Sequence, residues 1–306
     1  MFDLQWILNA PNNLAFKIGN LEVQWYGIIL TSAMILGLIL LIFYGKARGY
    51  SSDDMITLFL WVVPMAVVFS RIVYVIVRPD PSDGYWPVTS FGLKQFIETG
   101  TAPLHSFINL IAIWEGGITI IGGVIGGILG GLIFCKKHKA PPMELFDLVI
   151  PILFLCQGIG RWGNYVNQEA FGVAITNPAL QHFPIAVYIS NGFYEGWYAA
   201  TFFYAFVWNV LGALVIFLLT RKSRIKGLSI FMYLVLYCFK RAMLEFIRLD
   251  AVVTGSGLYL TQAFMFICVA FGIIGGILYY LHGKNKLEHQ RVKEEIDALL
   301  KAAEKD

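Results

Sequence analysis

The 306-residue chain is 58% hydrophobic and only 14% charged. A soluble globular domain carries about 25% charged residues, so that class is excluded, and the composition fits an all-α, polytopic integral membrane protein. The formal net charge of +3 says little until the charges are placed along the chain, and no nucleic-acid partner is expected.

Residues 1–20 include Asp3, Asn9, Pro11, Asn12, Asn13 and Lys17. With neither a basic start nor an uninterrupted apolar core, they are not expected to form a cleavable signal peptide. A bilayer-spanning helix needs about 20 mostly apolar residues, and seven segments qualify. They cover roughly 25–44, 55–77, 108–134, 145–160, 197–220, 228–247 and 258–281 by that length criterion. The second is interrupted by Pro64 and Arg71, the fourth is short, and the sixth contains charge.

Basic residues gather after alternate spans. Lys46 and Arg48 follow the first, Lys136, Lys137 and Lys139 the third, and Arg221, Lys222, Arg224 and Lys226 the fifth; Lys284, Lys286, Arg291, Lys293, Lys301 and Lys305 follow the seventh. Short basic loops stay in the cytoplasm, which predicts an outward N-terminus and a cytoplasmic C-terminus. The longer outer loops, about 79–106 and 161–196, are rich in Pro, Asn, Gly and aromatics and would form a small cap over an outward-facing site. Residues 1–283 thus form the transmembrane domain and 284–306 a charged tail, where Val292, Ile296, Leu299 and Leu300 make a thin apolar stripe at helical spacing.

The third span holds two glycine series, Gly122, Gly126, Gly130 and Gly123, Gly127, Gly131. A face this bare lets another helix approach closely; a groove for a lipid tail is the functional rival. Cys135, Cys156, Cys238 and Cys268 lie in apolar surroundings without metal-like spacing, so they are expected to be free, with no disulfide framework and no zinc site.

Polar residues inside this apolar frame carry the functional reading. Arg71 and Tyr74 fall in the second span, Glu115 at the start of the third, and Lys240, Arg241, Glu245 and Arg248 at the outer end of the sixth. The i, i+4, i+7 spacing puts Arg241, Glu245 and Arg248 on one helix face, where Arg241 and Glu245 either neutralise one another or serve a ligand. The densest group is Gly160-Arg161-Trp162-Gly163-Asn164-Tyr165-Val166-Asn167-Gln168-Glu169-Ala170-Phe171-Gly172, just after an uncharged hydrophobic run. An unpaired guanidinium at that depth marks a site for an anion, and phosphate suits its planar fork; the structural alternative is an arginine that snorkels or caps a helix end. Arg161 and Arg241, from different helices near the outer leaflet, would together bind one lipid phosphate.

At these residues the chain resembles a known family. The run Gly160-Arg161-x-Gly163-Asn164-x-x-Asn167-x-Glu169-x-x-Gly172 is similar to the signature of prolipoprotein diacylglyceryl transferases. Trp25-Tyr26-Gly27, Arg71-x-x-Tyr74, Trp114-Glu115-Gly116-Gly117 and Arg241-x-x-x-Glu245-x-x-Arg248 extend the resemblance over most of the chain. It implies seven spans, a bacterial plasma-membrane location and a site open to the outside. It also implies a reaction in which phosphatidylglycerol gives its diacylglyceryl group to the lipobox cysteine thiol of a prolipoprotein, forming a thioether and releasing glycerol phosphate. Arg161 and Arg241 correspond to the family's essential arginines. Glu169 and Glu245 would take the thiol proton or orient an arginine, and Tyr26, Asn164, Asn167, Gly172, Arg71 and Arg248 would contact substrate. No metal or organic cofactor is implied.

One position departs from the family. Where members often carry a histidine this chain has Ile121, followed by Gly122-Gly123, which counts against an obligatory histidine base rather than against the activity. No other histidine substitutes for it: His105 and His182 fall in outer loops, and His138, His282 and His289 on the cytoplasmic side. The rival reading is a transporter or lipid flippase, where intramembrane charges and glycine-rich helices also occur; such proteins often show two similar halves, and none is visible here.

Overall fold

The computed structural model describes residues 13–19, 21–77, 117, 119–249 and 260–303. Glu115, the family-like Trp114-Glu115-Gly116, His105 and the first outer loop lie outside the described residues, as does the start of the third expected span. Elements follow in the order β1 (Leu14–Ile18), β2 (Leu21–Gln24), α1 (Trp25–Lys46), α2 (Ser52–Val77), α3 (Ile120–His138), α4 (Pro142–Val166), β3 (Ala186–Ser190), β4 (Glu195–Ala199), α5 (Thr201–Thr220), α6 (Leu228–Glu245) and α7 (Leu260–Ala303). Six of these helices are long and apolar enough to cross a membrane. The protein is a mostly helical, multi-pass integral membrane protein.

Large apolar side chains point outward, as a surface that faces lipid requires. On α7, Phe264, Ile267, Phe271, Ile274 and Leu278 are all exposed, spaced by three and four residues along one face. α6 is the described long helix that falls outside the six, because its 18 residues include Lys240, Arg241 and Glu245.

Several boundaries differ from the sequence expectation for physical reasons. α2 runs unbroken through Pro64 and Arg71, since a membrane helix tolerates the missing proline N–H when neighbours satisfy the freed carbonyl. α4 continues past Gly160 to Val166, so Arg161 and Asn164 sit on its last turns rather than in a loop. The segment that follows, expected as an outer loop, is also not all loop: β3 and β4 pair antiparallel from Ala186↔Ala199 to Ser190↔Glu195. α7 passes Gly283 without interruption, so the charged tail prolongs the last apolar helix.

The chain divides into two compact units, Met1–Leu41 with Met143–Asp306, and Ile42–Pro142. In the second unit, α2 and α3 pack through one of the two glycine series. A Cβ at Gly122, Gly126 or Gly130 would overlap the backbone carbonyls of Phe69, Met65 and Trp61 respectively, whereas Gly127 and Gly131 meet only Val62 side-chain carbons at 3.8 and 4.0 Å. The close approach is therefore helix on helix, the small-residue packing that membranes favour. His138 stacks on Phe134 and its Nδ1 lies 3.3 Å from Oδ1 of Asp54. Ile121 is exposed at the start of α3.

In the first unit, Ile150, Phe154, Ala213 and Ile216 form a core joining α4 to α5, flanked by Tyr233 and Leu236 of α6. α6 starts where Gly227 takes a left-handed φ of 90°. Buried Asp147 of α4 accepts from the Gly227 and Ser229 amides at 2.8 and 3.1 Å, capping otherwise unsatisfied donors with a favourably placed negative charge. α7 closes on α6 through Gly272, where a Cβ would lie 2.8 Å from Cγ2 of Val235. All four cysteines are free, as their apolar settings suggested; the Cys156 thiol donates to the Ala33 carbonyl at 3.2 Å.

Candidate active site

The site belongs to the first unit and begins where α4 ends. Asn167 and Gln168 turn the chain, donating to the Gly163 and Tyr165 carbonyls at 3.0 and 2.9 Å. Gln168 and Ala170 both adopt left-handed backbone, with φ of 50° and 55°, a conformation non-glycine residues seldom hold unless surrounding contacts over-determine it. Those contacts are present. The Gln168 side chain accepts from the Ser190 amide at 2.7 Å, its carbonyl accepts from Asn191 at 3.1 Å, and the Ala170 carbonyl accepts from the Thr201 hydroxyl at 2.7 Å. The turn is thus clamped to the β3–β4 hairpin and the start of α5, over an apolar cluster of Tyr165, Phe171, Val187, Ile189, Ala200 and Phe202.

Between the two strained residues stands Glu169. Its amide donates to the Asn164 carbonyl at 2.9 Å, and its Oε1 accepts from the Asn164 side chain at 2.8 Å. Three residues on, Gly172 forms an isolated antiparallel bridge with Arg248, and the Val173 amide donates to the Ile247 carbonyl at 2.8 Å. The signature's end and the segment after α6 therefore share one backbone arrangement.

Arg161 lies one turn before Asn164 and is half-buried. Among the described residues it makes no ion pair or hydrogen bond. Its electrostatic neighbours are Tyr237 and Arg241 of α6, Arg248, and Tyr26 at the start of α1. Tyr26 in turn is an electrostatic neighbour of Glu169, and its ring lies against Gly163, where a Cβ would fall 2.5 Å from Cδ2. On α6, Arg241 places Nη2 3.0 Å from Oε2 of Glu245. That oxygen is buried and has no hydrogen-bond partner: the two charges are close, but the N–H does not point along the line between them.

Of the residues singled out from the sequence, Tyr26, Arg161, Asn164, Asn167, Glu169, Gly172, Arg241, Glu245 and Arg248 all belong to this unit, and the contacts above link most of them. Arg71 belongs to the other unit; it is buried, donates from Nη1 to the Gly117 carbonyl at 3.0 Å and lies over the Tyr74 ring at 5.5 Å. His182 is exposed, with Nδ1 3.2 Å from the Phe183 carbonyl oxygen. One residue escaped the sequence reading. Asn209 of α5 is fully buried and accepts from Lys240 at 2.7 Å. Lys240 was visible as an intramembrane charge, but its partner comes from another helix that no sequence spacing reveals.

The comparison with known proteins now decides the family. The family model described as prolipoprotein diacylglyceryl transferase matches residues 13–281. The chain belongs to the prolipoprotein diacylglyceryl transferase family. The phosphatidylglycerol–prolipoprotein diacylglyceryl transferase of Ligilactobacillus salivarius is 34% identical over 253 residues, which cover 81% of this chain and 86% of that protein. The Clostridium perfringens protein of that name, numbered 1, is 33% identical over 279 residues, covering 90% of this chain and 97% of its own. The Lactobacillus acidophilus relative reaches 36% over 256 residues, covering 82% and 84%. The family match spans both the signature and the Arg241–Arg248 segment.

Proposed function

We infer that this chain is a transferase that moves the diacylglyceryl group of phosphatidylglycerol to the lipobox cysteine of a prolipoprotein. Membership of a family whose relatives bear that name supports group transfer over simple lipid flipping. The observation that carries the residue-level reading is Arg161: a half-buried guanidinium in a membrane protein, free of ion pairs and hydrogen bonds among the described residues and beside Arg241. A charge in that setting is costly and awaits an anion. The phosphate of phosphatidylglycerol is the anion that fits its fork.

The step is displacement at a saturated carbon. The substrate thiolate forms a C–S bond to the glyceryl methylene, the C–O bond to phosphate breaks, and its electron pair leaves on glycerol phosphate. Arg161 and Arg241 bind the phosphate and stabilise the charge growing on the leaving oxygen, an effect strongest in a dry site. Their field also favours the thiolate, which is the nucleophile. Glu169, held by Asn164, is placed to accept the thiol proton; Glu245 orients Arg241. Tyr26, Asn164, Asn167, Gly172 and Arg248 contact the substrates or hold the groups that do; for Arg71, in the other unit, the substrate contact rests on the resemblance alone. The chemistry calls for no metal or organic cofactor, since the phosphate ester itself supplies the leaving group.

The enzyme works in the bacterial plasma membrane with seven spans, α6 being the seventh long helix beside the six that are apolar enough to cross a membrane. The basic loops put the N-terminus outside, the C-terminus in the cytoplasm and the site on the outer side. Residues 1–283 form the catalytic domain and 284–306 the cytoplasmic tail. The test is to incubate purified protein with phosphatidylglycerol and a lipobox peptide and to follow the peptide mass. A diacylglyceryl increment is expected; an unmodified peptide beside an active control enzyme would leave flipping as the better account.

A further inference from the structure

Lys240 is 4% exposed and lies within α6. Its ammonium donates to Oδ1 of Asn209 at 2.7 Å and lies 5.3 Å from the Phe154 ring centre and 4.9 Å from that of Tyr237. Asn209 is itself fixed, its Nδ2 donating to the Phe154 carbonyl at 3.1 Å. No carboxylate neutralises this ammonium among the described residues. Its charged neighbours are cations, Arg161 and Arg241. Replacing a buried charge with a packed apolar residue usually does not destabilise a protein, so a lysine held among arginines is better explained by function than by stability.

The charges around Arg161 show what that function is. Arg161 adds one positive charge, and the Arg241–Glu245 pair adds none. Arg248 is a further cation beside Arg161. Lys240 adds to this field a positive charge that no carboxylate pairs with among the described residues, whereas the phosphodiester of phosphatidylglycerol carries a single negative charge. When the C–O bond breaks, the electron pair that leaves converts that monoanion into the phosphomonoester dianion of glycerol phosphate, the thiol having released its proton before attack. The second negative charge exists only late in the reaction, and a cation that answers it lowers the barrier rather than merely tightening binding.

We propose that Lys240 is a positioning residue that adds a buried positive charge to the field around Arg161 and Arg241, so that the site prefers the departing glycerol phosphate dianion to the intact lipid headgroup. The inference rests on the transferase reading above. It extends that reading to a residue buried against Asn209 that need not touch substrate.

The experiment compares wild-type, Lys240→Met, Lys240→Gln and Lys240→Arg protein reconstituted in phosphatidylglycerol vesicles at about pH 7, where a phosphomonoester is mostly dianionic. Transfer is inhibited with glycerol phosphate and, separately, with glycerophosphoglycerol, the monoanionic deacylated headgroup. One unit charge within the site changes affinity by about tenfold per ligand charge. Lys240→Met is therefore expected to weaken glycerol phosphate inhibition about tenfold more than glycerophosphoglycerol inhibition, with a lower kcat, and Lys240→Arg to restore both. Lys240→Gln keeps a partner for Asn209 without the charge and should behave like Lys240→Met, covering the case in which methionine fails to fold. A purely structural lysine would weaken both inhibitors equally, and an unchanged inhibitor ratio in the neutral variants would overturn the proposal. Wild-type protein with no transfer at all would overturn the transferase reading instead, so the two failures are distinguishable.

Discussion

Gly172 and Arg248 face each other across an isolated antiparallel bridge, joining the last residue of the signature to the segment after α6. The join leaves no room for a side chain: a Cβ at position 172 would stand 2.8 Å from both the Ala199 Cβ and the Ile247 carbonyl oxygen, and 3.0 Å from Cγ2 of Thr201. Overpacking of this kind costs about 1–3 kcal/mol. Gly172→Ala is therefore expected to lower the thermal midpoint in detergent and, by displacing Arg248, to cut transfer as well. Adding Ala199→Gly should relieve only part of the loss, since two contacts remain. A Gly172→Ala protein with wild-type melting and transfer would show that the bridge does not hold Arg248.

The two arginines of the site should separate when stability and activity are measured together. Among the described residues Arg161 has no partner to strand, so Arg161→Ala is expected to abolish transfer while shifting stability by about 0.5 kcal/mol or less. Arg161→Lys should also fail, because an ammonium lacks the planar fork. Arg241→Ala leaves the 3%-exposed Glu245 without its cation, and an orphaned buried carboxylate costs about 1–3 kcal/mol. Combining it with Glu245→Gln should recover the stability but not the transfer. Equal thermal midpoints for Arg161→Ala and Arg241→Ala would contradict this assignment.

In the other unit the two glycine series predict unequal tolerance. Gly126 abuts the Met65 carbonyl, whereas Gly127 meets only Cγ1 of Val62 at 3.8 Å. Gly126→Ala forces backbone apart and should destabilise by about 1–3 kcal/mol. Gly127→Ala adds a methyl in ordinary contact and relieves a helix of a flexible residue, so it should be neutral or stabilising by up to about 1 kcal/mol. Thermal unfolding in detergent distinguishes them, and equal effects would mean that α3 does not dock on α2 through Gly126.

Much of this was legible because the signals were local. An arginine four residues before a glutamate on one helix face announces the Arg241–Glu245 pair, and residue order alone places Arg161 at the end of an apolar run. The glycine periods were equally plain, but not which series docks, because that depends on how α3 is rotated against α2. The β3–β4 hairpin hid in an aromatic, glycine-bearing segment that resembled loop, and β4 is held from outside by long-range bonds such as Ile175 N to Trp197 O at 2.8 Å. Lys240 lies beside an expected active-site arginine in sequence, yet its burial depends on Asn209, 31 residues away on another helix.

Tyr26 and Gly163 provide the last test, because their relationship is steric and can be cancelled. With a Cβ at 163 only 2.5 and 2.7 Å from Cδ2 and Cε2 of the ring, Gly163→Ala must push Tyr26 away from its place beside Arg161 and Glu169. Transfer should fall about tenfold or more, equivalent to about 1.4 kcal/mol in the barrier. Tyr26→Ala should cause a loss of its own by removing the ring. Residues that act through one contact are not additive, so the double variant Gly163→Ala/Tyr26→Ala should be no slower than Tyr26→Ala, the collision having vanished with the ring. If the two losses multiply instead, position 163 acts through something other than the tyrosine, and Tyr26 loses the steric seat that the packing of α1 on α4 assigns to it.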